Sequence, residues 1–345
     1  MRRVLILFFV VLLLCTATMG WLWQDMHRYM NASIGLKSDI PSLIVPKGTS
    51  FNRLLGDLEQ VGVINKPLYF KAFARLNKLS GKIKAGEFLI EKDLTPNELL
   101  SKFVDGKSLQ HSFAVIEGTT FKQLRAQLVL RKGLIKQTLA GKTDAEILSA
   151  IGAKESHPEG LFLADTFQVE RNSTDLDLLV RSYRAQQQEL ARLWEARNTK
   201  LPYKTSYEAL IMASIVEKET AVAAERPLIA GVFIKRLKIG MRLQTDPTVI
   251  YGIGDKYKGN ITRKDLRKPT PYNTYTIAGL PPTPIAMVGR EAIQAALNPK
   301  VGKSLYFVAK GDGSHQFSPS LKAHNKAVRK YQLRRKKQYR STPEK

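Results

Sequence analysis

The sequence predicts an α+β protein carried on a single N-terminal membrane helix. Three observations predict it. An uncharged run, Val4–Trp23, opens the chain. Helix-spaced leucines and short alternating segments then interleave along the rest of the 345 residues. The composition, 43% hydrophobic and 25% charged, is that of an ordinary globular chain. It excludes a wholly disordered chain, a collagen and a polytopic membrane protein.

The run at residues 4–23 would span about 30 Å as a helix, at ~1.5 Å per residue, which matches a bilayer core. Trp21 and Trp23 stand at its far end, where amphipathic rings favour the headgroup layer. A cleaved signal peptide is the rival reading, but its apolar region is shorter and an A-x-A site should follow. Cys15 does not mark a lipoprotein, because Leu14 precedes it where a small residue belongs. Arg2 and Arg3 on the short tail, residues 1–3, favour an N-inside orientation. The remainder then lies outside the cytoplasmic (inner) membrane, in the periplasm. Cys15 is the one cysteine, so no internal disulfide and no Cys-based zinc site is available.

Residues 24–42 read as a polar linker. A module over 43–110 follows. Ser42-Leu-Ile-Val is a strand candidate, and Thr49 and Ser50 can cap a helix from Phe51 to about Val61. A second helix runs from Pro67 to Leu79, and Lys82–Ile90 alternates as a strand does. Thr95–Asp105 is a further helix. The strand–helix–helix–strand order resembles a LysM-type module, which implies glycan binding; a plain α+β spacer fits the same residues.

The larger part spans 111–345. It begins with a strand at Phe113-Ala-Val-Ile and a helix opened by Thr119-Thr120. Long helices are predicted over Asp175–Arg197, Ser206–Thr220 and Ala224–Leu237. Residues 239–285 are rich in Gly, Pro, Thr and Tyr, and a connection of that length is usually functional. A hairpin is predicted around Gly311-Asp-Gly, and a basic helix from His324 to Lys345.

The segment Ala213-Ser-Ile-Val-Glu-Lys-Glu-Thr220 carries the most chemical information. At 100° per residue, Ile211, Met212, Ile215 and Val216 form an apolar stripe. Glu219 falls within that stripe, Glu217 nearer its edge, and Lys218 on the other side. A carboxyl on an apolar face is either a frayed helix end reaching solvent or a group facing a cleft. In a cleft, desolvation raises its pKa, and a carboxylic acid protonated near neutrality can donate a proton to a glycosidic oxygen. Leu243–Tyr251 packs Gln244, Thr245, Asp246 and Tyr251 into nine residues, and Tyr272, Asn273 and Tyr275 follow. Such side chains have flat apolar faces and hydrogen-bonding tips suited to sugars; a turn-rich loop with Asp246 capping a helix is the plainer reading. Asp165 is a third candidate, alternatively a cap or turn residue. The five histidines show no zinc spacing, and no phosphate-binding or serine-hydrolase motif occurs. Neither a metal nor another cofactor is expected.

Four strings, MASIVEKETAVAAER, GVFIKRLKIGMRLQTDPTVIYG, YNTYTIAGLPP and LYFVAKGDGSHQFS with HNKAV, resemble in order the endolytic murein transglycosylase (YceG-like) family. They span about Gly160 to Val328. One departure is Gly160-Leu-Phe-Leu-Ala-Asp-Thr, where the family pattern has more aromatics and a Pro before the Asp; Asp165 itself is retained. The resemblance implies a membrane-anchored lyase that cuts the N-acetylmuramic acid–β-1,4–N-acetylglucosamine bond within peptidoglycan strands. It implies 1,6-anhydro ends, one glutamate acting first as acid and then as base, and termination of nascent strands beside peptidoglycan synthases. The acid/base role falls on Glu219, with Glu217 as fallback. The groove falls on Gln244, Thr245, Asp246, Tyr251, Tyr272, Asn273, Tyr275 and Asp165.

Lys plus Arg number 55 and Asp plus Glu 30, a net charge of +25. That excess calls for an acidic partner. Peptidoglycan stem carboxylates and anionic lipid both supply one, and the membrane helix argues against nucleic acid. Two alternatives share the groove: a catalytically silent peptidoglycan-binding scaffold, and a muramidase that adds water with a second carboxylate.

Overall fold

A computed structural model of the chain describes residues 1–36 and 42–333. The expected linker falls partly, and the Arg334-Arg-Lys-Lys run of the basic tail wholly, outside the described residues. The chain divides into two compact units: residues 1–111 with 168–172, and residues 112–167 with 173–345. Both mix helices with short two-stranded sheets, so the α+β class holds.

The smaller unit begins with α1 (Arg2–Met30). It contains a stretch long and apolar enough to cross a membrane. The helix continues past the expected end at Trp23, because Met26 and Met30 are buried in the core of this unit. Then come β1 (Leu43–Val45), α2 (Phe51–Gln60), α3 (Pro67–Leu76), β2 (Gly86–Phe88) and α4 (Pro96–Asp105). Strands β1 and β2 pair antiparallel, Ile44 opposite Glu87. The second strand is much shorter than the alternation over 82–90 predicts. Ser50 caps α2, accepting from the Arg53 N–H. Thr95 and Glu98 form a reciprocal capping box at α4. Leu54, Leu58, Phe70, Phe88, Leu99 and Phe103 fill the core, with the Phe88 and Phe103 rings edge-on at 4.9 Å.

Residues 168–172 belong to this unit, and Arg171 ties them to a buried carboxylate. Glu87 accepts from Arg171 Nε at 2.8 Å and from Ser42 Oγ at 2.6 Å, and His111 Nε2 lies 2.7 Å away. The guanidinium, chiefly, holds the Glu87 carboxyl down at about 2. Strands β3 (Gln110–Ala114) and β4 (Thr166–Glu170) carry the chain from one unit to the other.

In the larger unit, α5 (Phe121–Leu130), α6 (Asp144–Ile151) and α7 (Asp175–Glu195) each start on a threonine capping box. Next come α8 (Ser206–Glu219), α9 (Arg226–Lys238), α10 (Asp246–Ile253), α11 (Arg263–Arg267) and α12 (Arg290–Leu297). The hairpin is β5 (Tyr306–Ala309) with β6 (His315–Ser318), as expected, and α13 (Leu321–Val328) follows. Helices α6 and α12 have no counterpart in the sequence expectations; eight residues each are too few to establish a helical period.

Helix α8 is the centre of this unit. Every residue from Ala209 to Glu217 is buried, with α7, α9, α10 and α12 packed around it. The expected single apolar stripe is therefore an all-round apolar surface, which is the pattern of a core helix. Gly231 lets α9 approach the chain at Lys300: a Cβ there would stand 2.2 Å from the Lys300 carbonyl oxygen.

The Glu87 arrangement has a defined pH signature. Its folded pKa lies below the ordinary 4.5, so its stabilisation is complete above that value and fades as pH falls toward about 2. In Glu87→Gln, stability measured by urea unfolding between pH 5 and 2.5 is expected to fall less steeply than in the wild type. Parallel curves would remove the ion pair from this account.

Candidate functional site

Glu219 is the last residue of α8, where that helix leaves the core. Its side chain is partly buried, and its Oε1 accepts a hydrogen bond from the Thr245 hydroxyl. Burial pushes the Glu219 carboxyl up to about 7; Asp246 adds to the rise, while Thr245 and the Arg236 guanidinium oppose it. Half-protonated near neutrality, such a group can both give and take a proton.

Thr245 is held by a ladder of threonines. Its N–H donates to Thr274 Oγ1 at 3.0 Å, and the Thr248 and Thr274 hydroxyls meet at 2.9 Å. The Gln244 N–H donates to the Thr274 carbonyl at 3.1 Å, and Arg242 Nη1 to the Tyr275 carbonyl at 3.0 Å. Gln244 itself sits at φ 50°, the left-handed region that non-glycine residues rarely enter. This turn delivers Thr245 to the start of α10 and toward Glu219, a local strain of the kind found at functional sites.

The structure brings several expected residues to Glu219. Thr245 touches it, and Asp246 is close enough to act on its charge. Asp246 Oδ1 accepts from the Tyr275 hydroxyl at 2.6 Å, and burial pushes that phenol upward. Gln244 and Asp246 are exposed. Asn273 is 1% exposed, and its amide serves the loop: Nδ2 donates to the Lys268 carbonyl at 2.7 Å and Oδ1 accepts from the Tyr275 N–H at 2.9 Å. The Tyr272 hydroxyl meets Thr283 Oγ1 at 2.8 Å, and its ring packs against Tyr251 at 4.8 Å.

Tyr251 points to a different carboxyl, donating to Glu159 Oε2 at 3.0 Å. Asp165 lies with Val115, Glu117 and Arg290 along another depression and accepts from Arg290 Nη2 at 3.0 Å.

Glu217 differs in chemistry from Glu219. It is more buried, not less, contrary to the helical-wheel ordering. Its Oε1 accepts from Arg226 Nη2 at 3.0 Å and its Oε2 from the Gly289 N–H at 3.0 Å. Both carboxylate oxygens are committed. Lys218 reaches across to the Gly118 carbonyl at 2.9 Å.

Two contributors escaped the sequence reading. Arg236 donates to the Leu305 carbonyl at 2.7 Å and to the Leu243 carbonyl, which fixes the segment before Gln244. It falls on a helix whose other residues are mostly buried, and nothing in the pattern separates it from a surface arginine. Glu159 is 3% exposed and pushed up to about 7 by burial. The one signal was its place before Gly160 and an apolar run.

Among the described residues no group of three or more His, Cys, Asp or Glu is arranged to hold a metal ion.

Residues 43–330 match the model of the YceG-like family. The chain is 31% identical over 303 residues to an endolytic murein transglycosylase of Bacillus subtilis, covering 83% of each. It is 26% identical over 317 residues to the protein of that name from Streptococcus pneumoniae strain D39, covering 82% of this chain and 57% of that one. The crystal structure of a YceG-like protein from Listeria monocytogenes superposes with a TM-score of 0.51 at 29% identity, over 83% of this chain and 98% of that one. With the family match spanning both compact units and the relatives aligned over most of the chain, this protein belongs to the YceG-like family.

Proposed function

We propose that the protein is a membrane-anchored endolytic murein transglycosylase with Glu219 as its acid/base. The observation that carries the reading is the desolvated Glu219 carboxyl, held through one oxygen by Thr245. Its other oxygen, Oε2, has no hydrogen-bond partner among the described residues. The named relatives supply the substrate class, murein.

The step is then a proton relay on one carboxyl. Glu219 donates its proton to the oxygen joining N-acetylmuramic acid to N-acetylglucosamine, and the C1–O bond breaks. The carboxylate left behind takes the proton of the muramyl C6 hydroxyl as that oxygen bonds to C1. A 1,6-anhydro end forms, no water enters, and the acid is regenerated. A group balanced near pH 7 suits both halves. Thr245, as donor, steadies the charged form, and Asp246, as a neighbouring negative charge, favours the neutral one. Tyr275 and Gln244 flank this point, with Tyr272 and Tyr251 further along as sugar-facing aromatics. Asn273 fits a positioning role for the loop bearing Tyr272 and Tyr275. Asp165 lies on a separate depression and is a candidate for a remote part of the strand.

The same reading extends to the rest of the chain. The β1–α2–α3–β2 order with antiparallel β1 and β2 supports a LysM-like glycan-binding module over 43–110, beside a catalytic part over 111–345. Arg2 and Arg3 support an N-inside anchor with the catalytic part in the periplasm. Peptidoglycan synthases fit as partners of an enzyme that ends nascent strands.

The full chain in detergent, wild type and Glu219→Gln, would be incubated with purified peptidoglycan and its soluble products weighed. Anhydro ends from wild type alone are expected, with a loss of about 10²–10⁴-fold in the variant. Reducing ends would mean water attack and point to Asp246 as the second carboxylate. Binding without cleavage by the wild type would favour a silent scaffold.

Two further outcomes separate the glutamates. Activity is expected to fall about tenfold per pH unit above 7, as the Glu219 proton is lost. Because its folded pKa is raised, Glu219 destabilises the fold progressively from pH 4.5 to about 7 and fully above. Glu219→Gln is therefore expected to melt above the wild type at pH 8 and close to it at pH 4.5. Glu217→Gln instead leaves Arg226 with a buried, under-compensated charge and is expected to cost ~3–5 kcal/mol in chemical denaturation. A normally stable but inactive Glu217→Gln would move the acid/base role to that residue.

A further inference from the structure

The larger unit holds a cavity of about 390 Å³ beside α5 that shares only Tyr251 with the proposed groove. Its walls include Phe121, Lys122 and Arg125 from α5, His157 and Glu159 from the loop after α6, and Tyr251 from α10. Glu159 ties these walls together: Oε1 accepts from the Phe121 N–H at 2.8 Å and Oε2 from the Tyr251 hydroxyl at 3.0 Å. Its buried carboxyl is pushed up to about 7 and carries only part of a negative charge near neutrality. Burial also lowers the pKa of His157, so the cations of the cavity are Lys122 and Arg125 at its rim, where Asp144 lies as well.

Lys122 and Arg125, three residues apart, occupy neighbouring positions on the surface of α5. Lys122 meets Asp255 at 2.5 Å, and Arg125 meets Asp144 at 3.1 Å. The two acids are 81% and 50% exposed. Pairs this open contribute ~0–1 kcal/mol, so an incoming carboxylate can take the place of either acid. Phe121 and Tyr251 supply apolar surface for the aliphatic part of such a ligand. Its position relative to the chemistry is set by α10. Thr245, the cap of α10, holds Glu219, and Tyr251 lies five residues along from Asp246, about 8 Å at ~1.5 Å per residue.

We infer that this cavity is a second binding subsite, which takes the free carboxylate of a peptide stem on the same glycan strand that Glu219 cuts. The inference rests on murein being the substrate. It assigns the enzyme a preference for strands that still carry their peptides, with Lys122 and Arg125 as the residues that read them.

The test compares peptide-bearing strands with the same strands stripped of peptide by an amidase, using the full chain in detergent. In the Lys122→Ala/Arg125→Ala protein, the ratio of kcat/KM for peptide-bearing over stripped strands is expected to fall about tenfold from the wild-type ratio. A control, Lys326→Ala/Arg329→Ala, removes the same charge from α13 and the residue after it and is expected to preserve the ratio. An unchanged ratio in the first variant, or an equal fall in the control, would overturn the inference. Binding is read separately in the Glu219→Gln background. Adding the two α5 substitutions is expected to raise the Kd for uncut peptide-bearing strands about tenfold, and an equal Kd would overturn the subsite. If the wild type cuts neither substrate, the proposed reaction fails on its own, and the binding comparison still decides the subsite.

Discussion

Burial of α8 from Ala209 to Glu217 is the constraint from which the site follows. Over that stretch the helix has no solvent face for its polar residues, so each must find a partner within the protein. Ser214 donates to the Ile211 carbonyl and accepts from the Ile285 N–H. Glu217 engages both Arg226 and the Gly289 amide. Glu219, at the exit from the core, has the Thr245 hydroxyl and no direct cation partner among the described residues. Two carboxyls two residues apart thus differ in kind. One is a structural ion pair, and the other is a carboxyl balanced between its charged and neutral forms.

That balance depends on a second, smaller constraint. The segment Arg242–Thr245 is fixed by backbone bonds to Thr274 and Tyr275, by Arg236 beneath it and by the left-handed turn at Gln244. Asn273, saturated by carbonyls of its own loop, keeps the opposing strand of chain in place. The polar residues around Glu219 are therefore held before any ligand arrives. Pre-set dipoles of this kind are worth more than mobile ones, because they need no reorganisation as charge moves.

Helix α10 connects this point to the second raised carboxyl. Its first residues address Glu219, and Tyr251 addresses Glu159. The two carboxyls share the same physical cause, burial without a directly bonded cation, yet their exposure differs. Glu159 is enclosed and bonded through both oxygens, which suits a wall of a cavity. Glu219 has an oxygen to spare, which suits contact with a substrate.

Sequence alone determined the apolar N-terminal run, the order of the main helices, the hairpin at Gly311 and the family to which the long motifs pointed. These are local properties: a twenty-residue apolar stretch, helix-spaced leucines after a Thr or Ser, and a Gly-Asp-Gly turn are visible without knowing what packs where. It also placed Glu219 and Thr245–Asp246 on one short roll of candidates. Tertiary structure alone decided which of them meet. A helical wheel ranked Glu219 as more buried than Glu217, and the ranking reversed, because α12 and α9 close the face that the wheel left open. Arg236 and Glu159 were not legible, since their roles arise from partners the folded chain brings to them, and α12 is too short to show a helical period. Burial, charge compensation and pKa depend on the whole neighbourhood of an atom, and that neighbourhood exists only once the chain has folded around α8.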